Sequence, residues 1–317
     1  MDNLTHTLTG LALSRAGLNR WHPRAAVLLM LSANAPDCDI LAISRGPLAY
    51  FEAHRGITHA IVSAPVMALL CVLLVGLFSR SLRGWKMAWG LCLIGVASHL
   101  LLDWTNAYGI RLFYPFSSRW LHLDLNPLFD LWIWAVLLLA LVGPWLGRLV
   151  SSEMGAPAGS GRALALFALS FIVVYDFGRW LAHQRAMQTL NSRVYQGGAP
   201  TRVAAFPEAF ANPLLWSGWI DRPDFAMHFS INLREEFDPS AGVIVYKSKP
   251  GPAIDAASQA QPVEAFLKFA QYPLWQVMPL DEPAGAQVVE LRDWRFPFSA
   301  QATEDSLNRV LSSSFHY

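Results

Sequence analysis

The stretch from Leu91 to Asp103, LCLIGVASHLLLD, constrains the fold more than any other part of the chain. It closes an apolar run that begins near Trp85 and is long enough to cross a bilayer, yet it carries His99 and Asp103 four residues apart. On an α-helix these two side chains lie about 40° apart around the axis, so they share one face. An ionised carboxylate within the bilayer costs roughly 3 kcal/mol, and such residues usually serve a function. An imidazole and a carboxylate one turn apart make half of a metal site.

The composition indicates a membrane protein with a water-exposed part. Of the 317 residues, 54% are hydrophobic and only 15% are charged, whereas soluble domains carry about a quarter charged residues. Nearly all long apolar runs lie within residues 1–183. We therefore expect a multi-spanning α-helical membrane domain over residues 1–185, with about six helices of which the first two are short. A small soluble α+β or mostly β domain of unknown role should follow over residues 190–317.

Net charge and cysteine content exclude two other classes. The formal charge of +1, without clustered Lys and Arg, argues against a nucleic-acid-binding protein. Three cysteines, Cys38, Cys71 and Cys92, do not make a disulfide framework. We expect Cys71 and Cys92 to act as small apolar residues, whereas Cys38 lies between two aspartates.

The apolar pattern predicts the elements along the chain. Helices are expected at residues 4–18, 25–35, 58–78, 85–103, 131–149 and 162–181, with Thr58 as an N-cap. Downstream, FAMHFSINL, GVIVYKSK and AQVVELRDWRF are typical of strands, and VEAFLKFAQYPLW is typical of an amphipathic helix. No metal-ligand spacing is found in this downstream region, and we expect its lone His228 to be structural.

The basic loops predict an orientation in the bacterial cytoplasmic membrane. Loops 15–24, 80–86 and 148–162 carry most of the loop arginines and lysines, which places them in the cytoplasm. The N-terminus and everything after residue 181 are then expected outside, so the C-terminal domain would be periplasmic.

This topology brings seven histidines and aspartates to one end of the helices. They are His6, Asp37, Asp39, His54, His59, His99 and Asp103. Each of these residues could also have no functional role: P-D-C-D is a common turn sequence, and a histidine at a helix end is usually solvated. In H-R-G-I-T-H the two histidines cannot both face one site from a regular helix, so we expect His54 in the entering loop and His59 in the first turn. Four segments supplying imidazoles and carboxylates at one membrane face favour a metal site.

The ligand types limit the metal. Mixed histidine and carboxylate without thiolate favours zinc, with manganese and iron as alternatives. Seven candidate ligands are more than one tetrahedral site can use, so the sequence leaves open whether the centre holds one ion or two. Such a centre makes hydroxide from bound water and clamps an oxyanion. Asp37 or Asp39 is a candidate catalytic general base instead of a ligand, and the sequence does not choose between them.

The motifs T-H-T-L-T-G, A-P-D-C-D, H-R-G-I-T-H-A, S-H-L-L-L-D-W-T-N-A-Y-G and Y-P-F-S-S, in this order, resemble the YdjM-like family over roughly residues 1–130. These are bacterial inner-membrane proteins described as metal-dependent hydrolases, an activity that is itself an inference. The resemblance implies a multi-spanning protein whose metal residues match the seven named above. It supplies no substrate.

Three functions are compatible with these sequence features. The first is a membrane-embedded metal-dependent hydrolase that cleaves a phosphoester or ester bond in a lipid or lipid-linked substrate at the membrane face. The second is a non-catalytic membrane scaffold with a structural metal, closed by protein, and an outer domain that binds a protein partner. The third, a metal transporter, would need ligands at mid-bilayer and an inverted repeat, neither of which the sequence indicates.

Overall fold

The computed structural model describes residues 1–154, 161–208, 211–280 and 286–296. The chain divides into two compact units, Met1–Val245 and Tyr246–Tyr317. The helices of the first unit are α1 (Asn3–Ala16), α2 (Ala25–Ser32), α3 (Pro47–Ala53), α4 (Ala64–Ser79), α5 (Trp85–Thr105), α6 (Leu131–Met154) and α7 (Arg162–Asn191). Short 3-10 helices at Ala35–Arg45, Ile57–His59 and Ile61–Ser63 join α2, α3 and α4.

Within the described residues, four helical segments are long and apolar enough to cross a membrane. They are Ile61–Ser79, Trp85–Thr105, Leu131–Leu149 and Arg162–Asn191. A fifth span is possible if α2 and the 3-10 helix after it, which are bent by 47° relative to each other, count as one. Large apolar side chains on these helices are exposed, as with Phe78 at 83% and Val173 at 70%, which suits a lipid environment. The protein is therefore a multi-spanning helical membrane protein, and this confirms the predicted fold class.

Small residues allow α1, α2 and α5 to pack closely beside the predicted site. A Cβ atom on Gly10 of α1 would lie 2.7 Å from the Leu29 carbonyl oxygen of α2. A Cβ atom on Gly95 of α5 would lie 2.0 Å from the Ser32 hydroxyl of α2. Gly10 lies one turn after His6, and Gly95 lies one turn before His99. The distances between these helices therefore also set the distances between the side chains of the predicted site.

Two helix boundaries differ from the prediction. The helix predicted over 58–78 begins at Ala64, and Thr58 lies in a 3-10 turn instead of at its N-cap. Pro65 is pre-organised for a first helical turn, which explains the later start. At the other end, α7 continues to Asn191, ten residues past 181, because Ala186 and Leu190 pack against the sheet that follows.

A four-stranded antiparallel sheet follows α7 in the same unit. Its strands, in spatial order, are β1 (Arg202–Pro207), β2 (Leu215–Asp221), β3 (Phe225–Asn232) and β4 (Val243–Tyr246). The strands predicted from FAMHFSINL and GVIVYKSK are confirmed as β3 and β4, whereas β1 and β2 were not predicted. His228 pairs opposite Trp219, and its Nε2 lies 2.9 Å from the Ser217 hydroxyl, in keeping with a structural role.

The second unit contains α8 (Pro252–Ser258), α9 (Gln261–Phe269) and an antiparallel pair, β5 (Pro273–Pro279) and β6 (Gln287–Asp293). The prediction of one helix from VEAFLKFAQYPLW was wrong in its second half. The helix ends at Phe269, and Pro273 begins β5, whose backbone pairs with β6. A boundary between membrane-embedded and water-exposed parts at 185–190 stays a prediction, since α7 runs through it.

Candidate metal centre

His99 and Asp103 lie side by side on α5, and both are completely buried. Their i, i+4 spacing puts His99 Nε2 3.5 Å from Asp103 Oδ2. Both face the irregular segment between α2 and α4, away from the outer surface of the helix. The pair shares one face of α5, as its spacing predicts, and this face is buried.

Three further side chains converge on this pair from other segments. The His6 ring of α1 stacks on the His99 ring with centroids 3.9 Å apart. Asp37, from the 3-10 helix after α2, places Oδ1 3.7 Å from His99 Nε2. His59, from the 3-10 turn before α4, places Nε2 3.5 Å from Asp103 Oδ2. Five of the seven predicted residues thus share one buried pocket.

These five residues form two overlapping sets of three. Within each set, the potential ligand atoms all lie within 4.8 Å of one another. The sets are His6, Asp37 and His99, and His59, His99 and Asp103. Buried His and Asp groups of this kind could hold a metal ion. The shared member is His99, which makes it the central residue of the pocket.

A hydrogen bond on the far side of the His99 ring directs its other nitrogen into the pocket. The Nδ1 atom of His99 lies 2.7 Å from the Ala33 carbonyl oxygen, which can only accept, so Nδ1 carries the proton and Nε2 is a bare acceptor. His59 Nδ1 lies 3.1 Å from the Thr58 hydroxyl and 3.6 Å from Asp39 Oδ2, and the second distance is too long for a hydrogen bond. The two Nε2 atoms face each other at 3.1 Å. Because His99 Nε2 carries no proton, this contact needs either a proton on His59 Nε2 or a cation between the two nitrogens.

The surrounding charge also favours a cation. Burial acts to lower the pKa of His59, but hydrogen bonds to Asp103 and Asp37 outweigh it and shift that pKa upward. The two carboxylates thus favour positive charge at His59. A metal cation would supply that charge and would compete with a proton for the His59 nitrogen.

Unpartnered polar atoms give an independent test of whether a metal fits. Neither ring nitrogen of His6 has a hydrogen-bond partner among the described residues, although Nε2 lies 3.3 Å from Asp103 Oδ1. Asp103 Oδ2 has no hydrogen bond among the described residues either, although it lies 3.2 Å from Nη2 of Arg55 as an ion pair. Buried polar atoms are normally paired, and three imidazoles with two carboxylates are a ligand set that zinc, manganese or iron accepts. The residues present therefore fit a metal ion.

Asp39 and His54, the remaining two predicted residues, contact each other at the edge of the cluster. His54 Nδ1 lies 3.2 Å from Asp39 Oδ2, and the His54 side chain is 25% exposed. The same Asp39 oxygen accepts the Arg55 backbone N–H at 2.9 Å. The structure places the Asp39 carboxylate 3.6 Å from His59 Nδ1, as a nearby negative charge instead of a hydrogen-bond partner, and places His54 beyond Asp39.

Sequence reasoning missed Arg55, which the structure buries beside the cluster. Its Nη2 lies 3.2 Å from Asp103 Oδ2, and the Met1 amino group also contacts this carboxylate. The signal was present in H-R-G-I-T-H, because Arg55 directly follows one candidate ligand. By contrast, His122 and Asp124 form their own pair at 2.7 Å and belong to neither ligand set.

Asp39→Asn is expected to weaken metal binding by about 10- to 100-fold without abolishing it, because it removes the negative charge that lies 3.6 Å from His59 Nδ1. Titration of metal-free protein with zinc measures this change. Asp124→Asn, at the separate His122 pair, is the matched control and should bind zinc like the wild type. Complete loss of zinc in Asp39→Asn would mean that Asp39 is itself a ligand.

Comparisons with known proteins are consistent with a membrane protein. The profile of the family described as "YdjM inner membrane protein" matches residues 1–185. Uncharacterized protein YfhP of Bacillus subtilis (strain 168) is 24% identical over 319 aligned positions, covering 95% of this chain and 90% of that protein. Inner membrane protein YbcI of Escherichia coli (strain K12) is 34% identical over 101 residues, covering 31% of this chain and 57% of that protein. No solved structure matches the chain.

Proposed function

Because the chain belongs to the YdjM inner membrane protein family, we propose that the buried His/Asp cluster of its helical region is the centre of a metal-dependent hydrolase. The observation that carries the proposal is the convergence of five imidazole and carboxylate side chains around His99. When bound, the metal would lower the pKa of a coordinated water and stabilise a developing oxyanion.

The protein's own residues take distinct roles in this proposal. His6, His59, His99, Asp37 and Asp103 would hold the ion, and Asp39 would supply a negative charge near His59. Zinc is the proposed metal, and the two ligand sets that share His99 leave room for one ion or two. Asp37 is 20% exposed, so in the alternative arrangement it exchanges a proton with water as a general base and the other four residues hold the ion.

Accessibility favours catalysis over a purely structural metal. A structural ion is normally enclosed by protein ligands. Here Asp37 and His54 keep 20% and 25% of their side-chain surface exposed, so solvent reaches the cluster from this side. A substrate would approach the proposed centre from this exposed side.

The same edge of the cluster is apolar, which favours an amphiphilic substrate. Leu41 is 73% exposed and Ile40 56% exposed on the 3-10 helix that carries Asp37. Ile57, in the turn that carries His59, is 48% exposed. Exposed aliphatic side chains around a polar centre suit a membrane surface, where lipid head groups are the nearest substrates. We therefore propose that the substrate is a lipid or lipid-linked molecule, whose phosphoester or ester bond is hydrolysed at the outer face of the cytoplasmic membrane.

Elemental analysis of the purified full chain in lipid nanodiscs, followed by a screen of phosphoester and ester lipids, tests the proposal. We expect one or two zinc, manganese or iron ions per chain, together with hydrolysis that a chelator removes and metal restores. Wild-type protein that contains no transition metal and takes none up would refute a metal-dependent hydrolase.

A further inference from the structure

Arg55 is enclosed by protein groups beside the proposed centre. Its side chain is 4% exposed, with Nη2 at 3.2 Å from Asp103 Oδ2. Nη1 donates to the Gly109 carbonyl oxygen at 2.9 Å, and the guanidinium lies 5.4 Å from the Tyr108 ring centroid. The backbone of Arg55 has φ +53°, a left-handed conformation that is unfavourable for arginine. The fold thus accepts local strain to place a permanent positive charge at this point.

One donor of this buried guanidinium is unused. Nε has no hydrogen-bond partner among the described residues, although it is fully shielded from solvent. Nε and Nη2 form one edge of the guanidinium, and such an edge matches two oxygens of a phosphate or carboxylate. Asp103 occupies only the Nη2 side of that edge with a single oxygen. A second oxygen can therefore be accepted next to the proposed centre.

We propose that Arg55 binds a phosphoryl oxygen of the substrate, so that the centre acts on phosphate esters in preference to carboxylate esters. This inference rests on the proposed hydrolase function. A phosphoryl group brings charged oxygens that compensate a buried guanidinium, whereas the carbonyl of a carboxylate ester is neutral and leaves the charge unmatched. The phosphoryl group can belong to a lipid head group or to a soluble phosphate ester, since both present the same oxygens.

The test is phosphate affinity, measured by calorimetry on zinc-loaded full-length protein in phosphatidylcholine nanodiscs. Arg55→Lys keeps the positive charge but removes the pair of parallel N–H donors. We expect this variant to bind inorganic phosphate at least about 10-fold more weakly, with unchanged zinc content. Arg179→Lys is the matched control. Arg179 is also a buried arginine, its Nε donates to the Leu125 carbonyl oxygen at 2.7 Å outside both ligand sets, and its replacement should leave phosphate affinity unchanged.

A second arm separates the two sources of phosphate. Nanodiscs that contain phosphatidic acid should weaken binding of inorganic phosphate if the lipid head group is the ligand, and should have no effect if the ligand is soluble. Either result supports phosphoryl binding by Arg55.

Equal phosphate affinity in wild type and Arg55→Lys would overturn the inference, as would loss of zinc from Arg55→Lys alone, which would make Arg55 a support for Asp103. Both outcomes leave the hydrolase proposal intact. A wild-type protein that neither contains nor takes up zinc, manganese or iron refutes that proposal instead.

Discussion

His99→Ala is expected to remove the metal and the hydrolytic activity together. His99 is the member common to both ligand sets, so its loss disrupts each of them. Loss of a ring that merely orients a ligand costs about 10- to 100-fold in metal affinity, and loss of a ligand should exceed that range. Elemental analysis of the purified variant measures metal per chain, and a phosphoester assay on the same sample measures activity.

His122→Ala is the matched control for this variant. His122 is also a histidine paired with an aspartate, at 2.7 Å, but it is only partly buried and lies outside both ligand sets. It should retain metal and activity. The double variant His99→Ala/Asp103→Ala gives the strictest test, and retention of a full complement of metal there would contradict the assignment of the site.

Gly10→Val is expected to be the most damaging single substitution outside the cluster. A Cβ atom at Gly10 would lie 2.7 Å from the Leu29 carbonyl oxygen and 2.9 Å from the Met30 Cα atom, both of which are backbone atoms. Backbone cannot move aside as a side chain can, so α1 must separate from α2. Overpacking typically costs about 1–3 kcal/mol, and we expect a value at the upper end. Because His6 lies one turn before Gly10, the variant should also bind metal more weakly.

Gly90→Val is the matched control for the close approach. Gly90 lies inside α5, and a Cβ atom there would have no atom within 4 Å. Both variants suffer the same change in helix propensity, so only Gly10→Val should lower the melting temperature strongly in detergent. Equal melting temperatures for the two variants would show that α1 and α2 are not closely packed at this point.

Regular helical periodicity is what made the centre of the site predictable. A histidine and an aspartate inside an apolar helix are costly to bury, which marks them as functional candidates. Their i, i+4 spacing fixes a common helix face whatever the helix packs against. The sequence could therefore place His99 and Asp103 together in the candidate site. His6 and Asp37 followed from the order of the spans. These assignments needed only helix geometry and the approximate ends of the helices.

Tertiary contacts decided the features that the sequence did not predict. Whether Asp39 binds a metal or only supplies a negative charge near His59 depends on which ring nitrogen it meets, and no spacing rule encodes that. Arg55 is buried because a single carboxylate, Asp103, lies opposite it. Segment 57–63 has the apolar character of a helix, but 3-10 turns share that character, so the later start of α4 was not evident.

In the C-terminal region, errors came from short elements. The strands β1 and β2 lack a clear alternation of apolar and polar residues, because most of β2 is buried on both sides. The segment after Phe269 has helix-like spacing, yet pairing between Pro273 and Asp293 fixes it as a strand. Long-range pairing overrides local preference in such cases.

The 47° bend after α2 determines the chemistry of the central histidine. Pro36 has no N–H, and the Asp37 N–H bonds to the Asn34 carbonyl oxygen, so neither residue takes up the Ala33 carbonyl oxygen. That oxygen is left for His99 Nδ1. A chain that straightened here would gain one turn of ordinary helix and would lose the acceptor that selects the His99 tautomer.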